Sequence, residues 1–173
     1  MRWSYIISLI MVLLILLGCA QPEAGLPPIG QETRQIIEVR VVNQTVRYQC
    51  QSFWTEEEFS KILELRRKFE AEQITSFKEN LGKYNKSASN TEIRIDEVNK
   101  SATLMCEVKG AMYSTNSYDF HWLLGDLPFD LYQFKQSKKK LNYEGEVNGV
   151  PTTIRLIFPY TIAHCREHVW PAK

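Results

Sequence analysis

Residues 141–158, LNYEGEVNGVPTTIRLIF, contain the clearest fold signal in the chain. Asn148-Gly149 lies between two runs in which apolar and polar residues alternate, the strongest short-range indication of a β-hairpin. Pro151 cannot donate to a strand ladder, which places it on an edge or just past the turn. The predicted cross-strand pairs, all on one face, are Val147 with Val150, Tyr143 with Ile154 and Leu141 with Leu156.

Residues 34–52, RQIIEVRVVNQTVRYQCQS, alternate in the same way and predict another hairpin. Its turn falls at Asn43-Gln44, where asparagine tolerates the positive φ that a two-residue turn requires. The predicted pairs are Val41 with Val46, Val39 with Tyr48 and Ile37 with Cys50. A single long, bent strand is the alternative.

Residues 93–108 predict a further hairpin with its turn at Asn99-Lys100. The predicted pairs are Ile95 with Leu104 and Ile93 with Cys106. The polar segment 83–90, KYNKSASN, is expected to be a loop that leads into it.

Residues 55–82 predict one amphipathic helix of about 26 residues, or roughly 39 Å at 1.5 Å per residue. Thr55 and Glu58 have the spacing of a capping box, and Gly82 is placed to end the helix. The apolar stripe is interrupted at Arg66 and Gln73. Its members are Phe59, Ile62, Leu63, Phe69, Ile74, Phe77 and Leu81.

More than half of the residues in 119–134, DFHWLLGDLPFDLYQF, are aromatic or leucine. We expect a short strand to about Leu124 and a short helical turn near 127–132. The favoured interpretation is a lid that closes the open end of a sheet, and the alternative is an apolar pocket or exposed patch used for recognition. The residues that would form it are Trp122, Leu124, Phe129, Tyr132 and Phe134.

Together these elements predict an α+β fold: an antiparallel sheet of about five or six strands, built from hairpins, with one long amphipathic helix packed across one face. There is no strand–helix–strand alternation and no internal repeat.

The first 22 residues, MRWSYIISLIMVLLILLGCAQP, have the features of an export signal. A positive n-region with Arg2 precedes an apolar run, and Leu16-Leu17-Gly18-Cys19 follows. This segment resembles the lipobox of prokaryotic lipoproteins, which implies cleavage before Cys19 and acylation of that residue, for example with palmitate. The alternatives are an uncleaved single transmembrane anchor and a cleaved signal peptide without lipid.

The predicted organisation is a signal segment at 1–18, a lipidated cysteine and flexible tether at 19–33, and a single α+β domain at 34–173. The tether is rich in proline and glycine. We expect localisation at the extracytoplasmic face of the cell membrane, with membrane lipid as the partner of the anchor.

Beyond residue 22 the chain has 20 basic and 20 acidic side chains. A neutral domain has no long-range field that would attract nucleic acid, so a nucleic-acid partner is not expected.

Three cysteines remain when Cys19 is set aside. An exported protein usually uses them in a disulfide, and Cys50 with Cys106 is slightly favoured because both lie on inferred core faces. Buried free thiols are the alternative.

His164, Cys165 and His168 are the one cluster whose residue types and spacing suit zinc or copper. A complete site needs a further ligand such as His121, and a solvated C-terminal tail is the favoured alternative. No metal or other cofactor is therefore expected.

Asn43, Asn85 and Asn99 each begin an N-x-Ser/Thr glycosylation acceptor at an inferred turn or loop. Chance is the alternative, because asparagine is common in turns.

No catalytic residue is assigned, because nucleophile and phosphate-binding motifs are absent. The leading hypothesis is a non-enzymatic envelope lipoprotein whose domain binds an unknown protein or a small apolar ligand. The alternatives are a small metal-dependent enzyme that uses the C-terminal His/Cys cluster and a purely structural envelope protein.

Overall fold

The computed structural model describes residues 32–42, 45–114, 117–118, 120–124 and 129–162. In this part of the chain there are nine strands, two α-helices and one 3₁₀ turn at His121–Leu123. The helices are α1 (Glu56–Glu64) and α2 (Arg66–Lys83). The strands are β1 (Arg34–Val42), β2 (Thr45–Phe53), β3 (Ser87–Asp96), β4 (Ser101–Lys109), β5 (Met112–Ser114), β6 (Ser117–Tyr118), β7 (Phe129–Gln136), β8 (Lys140–Val147) and β9 (Val150–Ile157).

Seven of these strands form one mixed sheet in the order β3-β4-β2-β1-β9-β8-β7, and β5 and β6 form a separate small pair. The predicted fold class, a five- or six-stranded antiparallel sheet with one long helix, is therefore wrong. Strand β1 pairs with β9 in parallel, from Gln35 opposite Thr152 to Arg40 opposite Ile157. The prediction failed because alternation identifies a strand and a turn identifies its hairpin partner, but neither identifies the second neighbour of a strand.

The predicted registers of the first and last hairpins are confirmed. Val39 lies opposite Tyr48 in the β1–β2 pair, and Tyr143 lies opposite Ile154 in the β8–β9 pair. Asn148 and Gly149 have φ values of 51° and 78°, as a type I′ turn requires. The turn at Asn148-Gly149 therefore sets the register between β8 and β9.

The predicted register of the β3–β4 hairpin is wrong by two residues, because Ile93 rather than Ile95 lies opposite Leu104. A four-residue turn connects these strands. The Asp96 carboxylate accepts hydrogen bonds from the backbone N–H groups of Val98 and Asn99, at 3.1 Å each, and from the Asn99 side chain at 2.7 Å. This Asx-type turn lengthens the loop and moves the register. Strand β3 also begins at Ser87, inside the segment expected to be a loop.

Two consecutive helices replace the single long helix of the prediction, with a break at Leu65, whose φ is −109° and ψ is 22°. Thr55 caps α1 as expected, because its side chain accepts from the Glu58 N–H. The break lies beside Arg66, an exposed residue at which the apolar stripe is interrupted. Among the described residues, no helix is both long enough and apolar enough to cross a membrane.

The face of the sheet that bears Ile37, Val39 and Val41 is termed the inner face, and it carries two hydrophobic clusters. The larger cluster covers the central strands and includes Trp122, which is fully buried, and Leu81 at the end of α2. The smaller cluster packs α1 and the start of α2 on the sheet. Its buried members are Trp54, Phe59, Ile62, Phe69 and Ala102.

The segment 119–134 also differs from its prediction, since a 3₁₀ turn forms where a strand was expected and a strand where a helical turn was expected. Apolar density alone does not distinguish short helical and extended segments, because both can be buried.

Gly145 on β8 allows the edge strand β7 to approach closely. A Cβ at this position would overlap the carbonyl oxygen of Asp130 and lie 2.8 Å from Phe129 Cζ. At Gly82, near the end of α2, a Cβ would meet nothing within 4 Å. Alanine substitution at Gly82 is therefore a control for alanine substitution at Gly145.

Gly145→Ala should destabilise the fold by about 1–3 kcal/mol, because Phe129 and β7 must move away from the added methyl group. Gly82→Ala should stabilise it by about 0.5 kcal/mol through helix propensity. Urea denaturation of the two variants and the wild type measures both effects. Equal unfolding midpoints for Gly145→Ala and the wild type would show that β7 is not packed on Gly145.

Candidate functional site

A cavity of about 550 Å³ lies between α2 and the inner face of the sheet. It lies where the two hydrophobic clusters meet, and Phe77 of α2 contacts Tyr48 of β2 at its wall. The residues that line it are Glu32, Gln35, Tyr48, Cys50, Ser52, Trp54, Phe69, Gln73, Ser76, Phe77, Glu79, Asn80, Lys83, Ile93, Ala102, Leu104 and Leu124.

The sequence of α2 produces this cavity. The helix is anchored at its two ends by Phe69 and Leu81, its two buried residues. Between them, Gln73, Ser76 and Asn80 follow Phe69 at helical spacing and line the cavity. Gln73 and Ser76 are exposed and Asn80 is partly buried, so these polar or small side chains border the open side of the cavity. The interruption of the apolar stripe at Gln73 was the one sequence signal of this site.

Aromatic rings form much of the wall. Tyr48 and Phe77 stack with ring centroids 4.8 Å apart and planes inclined by 22°. Trp54 and Phe69 meet edge to face, with centroids 5.9 Å apart. Behind Tyr48, the ring of Trp122 lies at 5.6 Å and fixes its position. The strand and the helix therefore each contribute rings whose orientation is set by packing.

A group of polar side chains lies beside these aromatic residues, near the start of β1. Burial raises the pKa of the Glu32 carboxyl above its ordinary value of 4.5, and a hydrogen bond donated by Ser52 opposes that rise. Burial likewise raises the pKa of Cys50 to about 11, although a hydrogen bond from Tyr48 acts in the opposite direction. At neutral pH, Cys50 is thus a neutral thiol, and Glu32 is the acidic side chain of this group.

A smaller cavity of about 350 Å³ lies on the opposite, outer face of the sheet. Its charged side chains already form ion pairs, with Arg40 Nη2 3.2 Å from Glu38 Oε1 and Arg47 Nε 3.8 Å from Glu107 Oε1. These pairs are solvated and mutually neutralised. The inner cavity is the better candidate site, because it is larger and has aromatic walls and a partly desolvated carboxylate.

The predicted disulfide between Cys50 and Cys106 is not formed, and both residues are free cysteines. In the β2–β4 pairing, Cys50 lies opposite Leu104 and Cys106 lies opposite Tyr48. Such diagonal neighbours are roughly 7–8 Å apart, beyond the usual reach of a disulfide. Cys106 is buried and its pKa is raised to about 12, which is typical of a structural thiol.

The residues predicted to form a lid divide into two groups. Trp122, Leu124 and Phe129 are buried in the core, and Leu124 also lines the cavity. Tyr132 and Phe134 lie on the edge strand β7 and are 65% and 43% exposed. The segment thus contributes to the cavity wall through Leu124, whereas its second half forms an exposed sheet edge.

The remaining predicted sites are only partly described. Asn85 and Asn99 are exposed in turns, and the Asn99 side chain is bonded to Asp96. His121 lies in the 3₁₀ turn. The described residues contain no group of three His, Cys, Asp or Glu side chains placed to hold a metal ion. Cys19, Asn43 and the metal candidates His164, Cys165 and His168 lie outside the described residues.

No protein-family model, curated protein or solved structure matches the chain. The residues of the cavity are therefore the basis for a functional assignment.

Replacing Glu32 with glutamine should increase the free energy of unfolding at pH 7. An acid whose pKa is raised by folding stabilises the folded state when protonated, and that contribution is lost as the pH rises through the folded pKa. The advantage of Glu32→Gln should therefore disappear as the pH falls below the ordinary value of 4.5. Tyr48 and Cys50, whose own pKa values are raised, stay neutral throughout this range.

Urea denaturation at pH 7 and pH 4 measures this difference. Glu64→Gln, a change at an exposed position on α1, serves as the control and should have little effect at either pH. A Glu32→Gln protein that is less stable than the wild type at pH 7 would contradict the assignment of Glu32 as a desolvated carboxylate.

Proposed function

We propose that this chain is an exported, lipid-anchored domain that binds a small ligand in the cavity between α2 and the sheet and catalyses no reaction. The cavity is the observation that carries the binding role. Its volume of about 550 Å³ lies within the range of small-molecule sites, and its walls combine aromatic surface with a few converging polar groups.

Packing energetics support this role. Of the 18 residues of α2, Phe69 and Leu81 are buried and Phe77 is partly buried against the core, so few side chains hold this helix for its length. Large apolar side chains at positions 73 and 76 would cover part of the apolar cavity wall. Each Å² so removed from water would stabilise the fold by about 25 cal/mol. A ligand that fills the cavity would supply the missing contacts. This argument favours a small ligand over a protein partner as the occupant of the site.

The anchor is supported by the segment that ends at Cys19. Several acyl chains on one cysteine hold a domain firmly at a membrane, at about 0.8 kcal/mol for each buried CH₂ group. The tether that follows contains three prolines and two glycines between residues 20 and 33. A segment of this composition is suited to act as a spacer between the membrane surface and the domain.

The cavity role predicts that the neutral amphiphile N-phenyl-1-naphthylamine binds with a rise in its fluorescence. Ser76→Trp places a large ring in the cavity and should weaken this binding at least tenfold. Ala71→Trp adds the same ring at an exposed position of the same helix that does not line the cavity, and it should bind like the wild type. Equal affinities for all three proteins would show that the probe does not occupy this space.

The anchor predicts that the protein recovered from the membrane of a prokaryotic host lacks residues 1–18 and carries diacylglycerol-type mass on Cys19. Cys19→Ser should lose this mass and move from the detergent phase to the aqueous phase in a Triton X-114 partition. Mass spectrometry of both proteins reports the outcome. A wild-type chain with Met1 intact and Cys19 unmodified would reject the lipid anchor.

A further inference from the structure

The cavity has an unbalanced set of charges. Among the residues that line it, Glu32 and Glu79 are acidic and Lys83 alone is basic. Glu79 and Lys83 are exposed on the outer part of α2, whereas Glu32 is half-buried beside β2. The more enclosed part of the cavity therefore carries a negative charge.

Within the described residues, no lysine or arginine forms an ion pair with Glu32. Its carboxylate accepts a hydrogen bond from Ser52, and burial raises its pKa despite that bond. A partly desolvated carboxylate is stabilised when a cation approaches it, because the attraction is stronger in a low-dielectric site than in water. Glu32 lines the cavity, so the positive charge of a ligand has room to approach it.

The aromatic walls favour the same kind of group. Four of the residues that line the cavity are aromatic: Tyr48, Trp54, Phe69 and Phe77. The face of an aromatic ring carries partial negative charge and attracts an ammonium group. Aromatic cages are a common means of recognising quaternary ammonium groups.

The polar side chains fit this chemistry as well. The amide oxygens of Gln35, Gln73 and Asn80, all in the cavity wall, are able to accept hydrogen bonds from an amine. An anionic ligand would instead be repelled by Glu32, and a neutral apolar ligand would leave the Glu32 carboxylate desolvated without compensation.

We propose that the ligand of this cavity is a small organic cation, an amine or quaternary ammonium group with apolar substituents, whose charge lies against Glu32 and whose apolar part lies among the aromatic rings. This inference rests on the proposed ligand-binding function and adds the ligand class.

Three probes of equal length and different charge test the inference on the full chain: 4-phenylbutylammonium, 4-phenylbutan-1-ol and 4-phenylbutyrate. Titration calorimetry at pH 7 should rank their affinities in that order, with the ammonium at least tenfold above the alcohol. Glu32→Gln should remove this tenfold preference and leave the affinity for the alcohol unchanged. The matched control Glu79→Gln, at the exposed carboxylate of the wall, should keep most of the preference.

The outcomes separate the ligand class from the binding function. Equal affinities for the ammonium and the alcohol, or a preference that persists in Glu32→Gln, would overturn the cationic ligand but leave a binding cavity. Tightest binding of the carboxylate would also overturn it and would indicate Lys83 as the recognition group. Binding of none of the probes, together with no effect of Ser76→Trp on N-phenyl-1-naphthylamine, would overturn both proposals.

Discussion

The parallel contact between β1 and β9 is the constraint on which the rest of the structure depends. It joins the strands that precede the helices to the two hairpin strands near the end of the chain, and it lies at the centre of the seven-stranded sheet. Ile37 and Ile154, paired across it, are 2% and 0% exposed. Without this contact the β3-β4-β2-β1 and β9-β8-β7 groups would each expose an edge in the middle of the core. The register of the contact also fixes which side chains share the inner face, and so it determines where α2 and Trp122 can pack.

Local sequence patterns predicted the registers of two hairpins but not the order in which the hairpins join in the sheet. The turn at Asn148-Gly149 set the β8–β9 register, because both residues accept positive φ and the flanking alternation leaves one choice of face. At the β3–β4 turn, the side chain of Asp96 organises a longer loop, and a two-residue turn was the wrong choice. No local signal identifies β9 as the second neighbour of β1, because alternating strands are chemically compatible with many partners. The fold class was therefore wrong even though the registers of two hairpins were right.

The candidate site was predictable only in outline for the same reason. Gln73 was visible as a polar residue in an apolar stripe, but its significance depends on what lies opposite α2 in the folded chain. Tyr48, Cys50 and Ser52 belong to a strand with ordinary alternation. Glu32 lies just before the β1–β2 hairpin, and its sequence neighbours do not mark it as a functional residue. Only the folded arrangement brings the carboxylate, the thiol and four aromatic rings around one space. Cys50 and Leu124 were singled out from the sequence for other roles, a disulfide and a lid, and both line the cavity. The cluster at 164–168 was chosen by chemical type and lies outside the described part of the chain.

Three departures from good packing meet in this one cavity. The face of α2 that crosses it carries Gln73, Ser76 and Asn80 where apolar residues would stabilise the helix. The sheet below it leaves about 550 Å³ unfilled, and a carboxylate is partly desolvated at its edge. An unfilled space and a desolvated carboxylate both lower the stability of a fold, and substitutions to larger or neutral side chains would reduce these costs. Sequences that specify a fold are usually consistent at every level, and the exceptions concentrate where a function requires them. Because the same contacts would be completed by an occupant with an apolar body and a positive charge, the three departures have one common physical explanation in ligand binding.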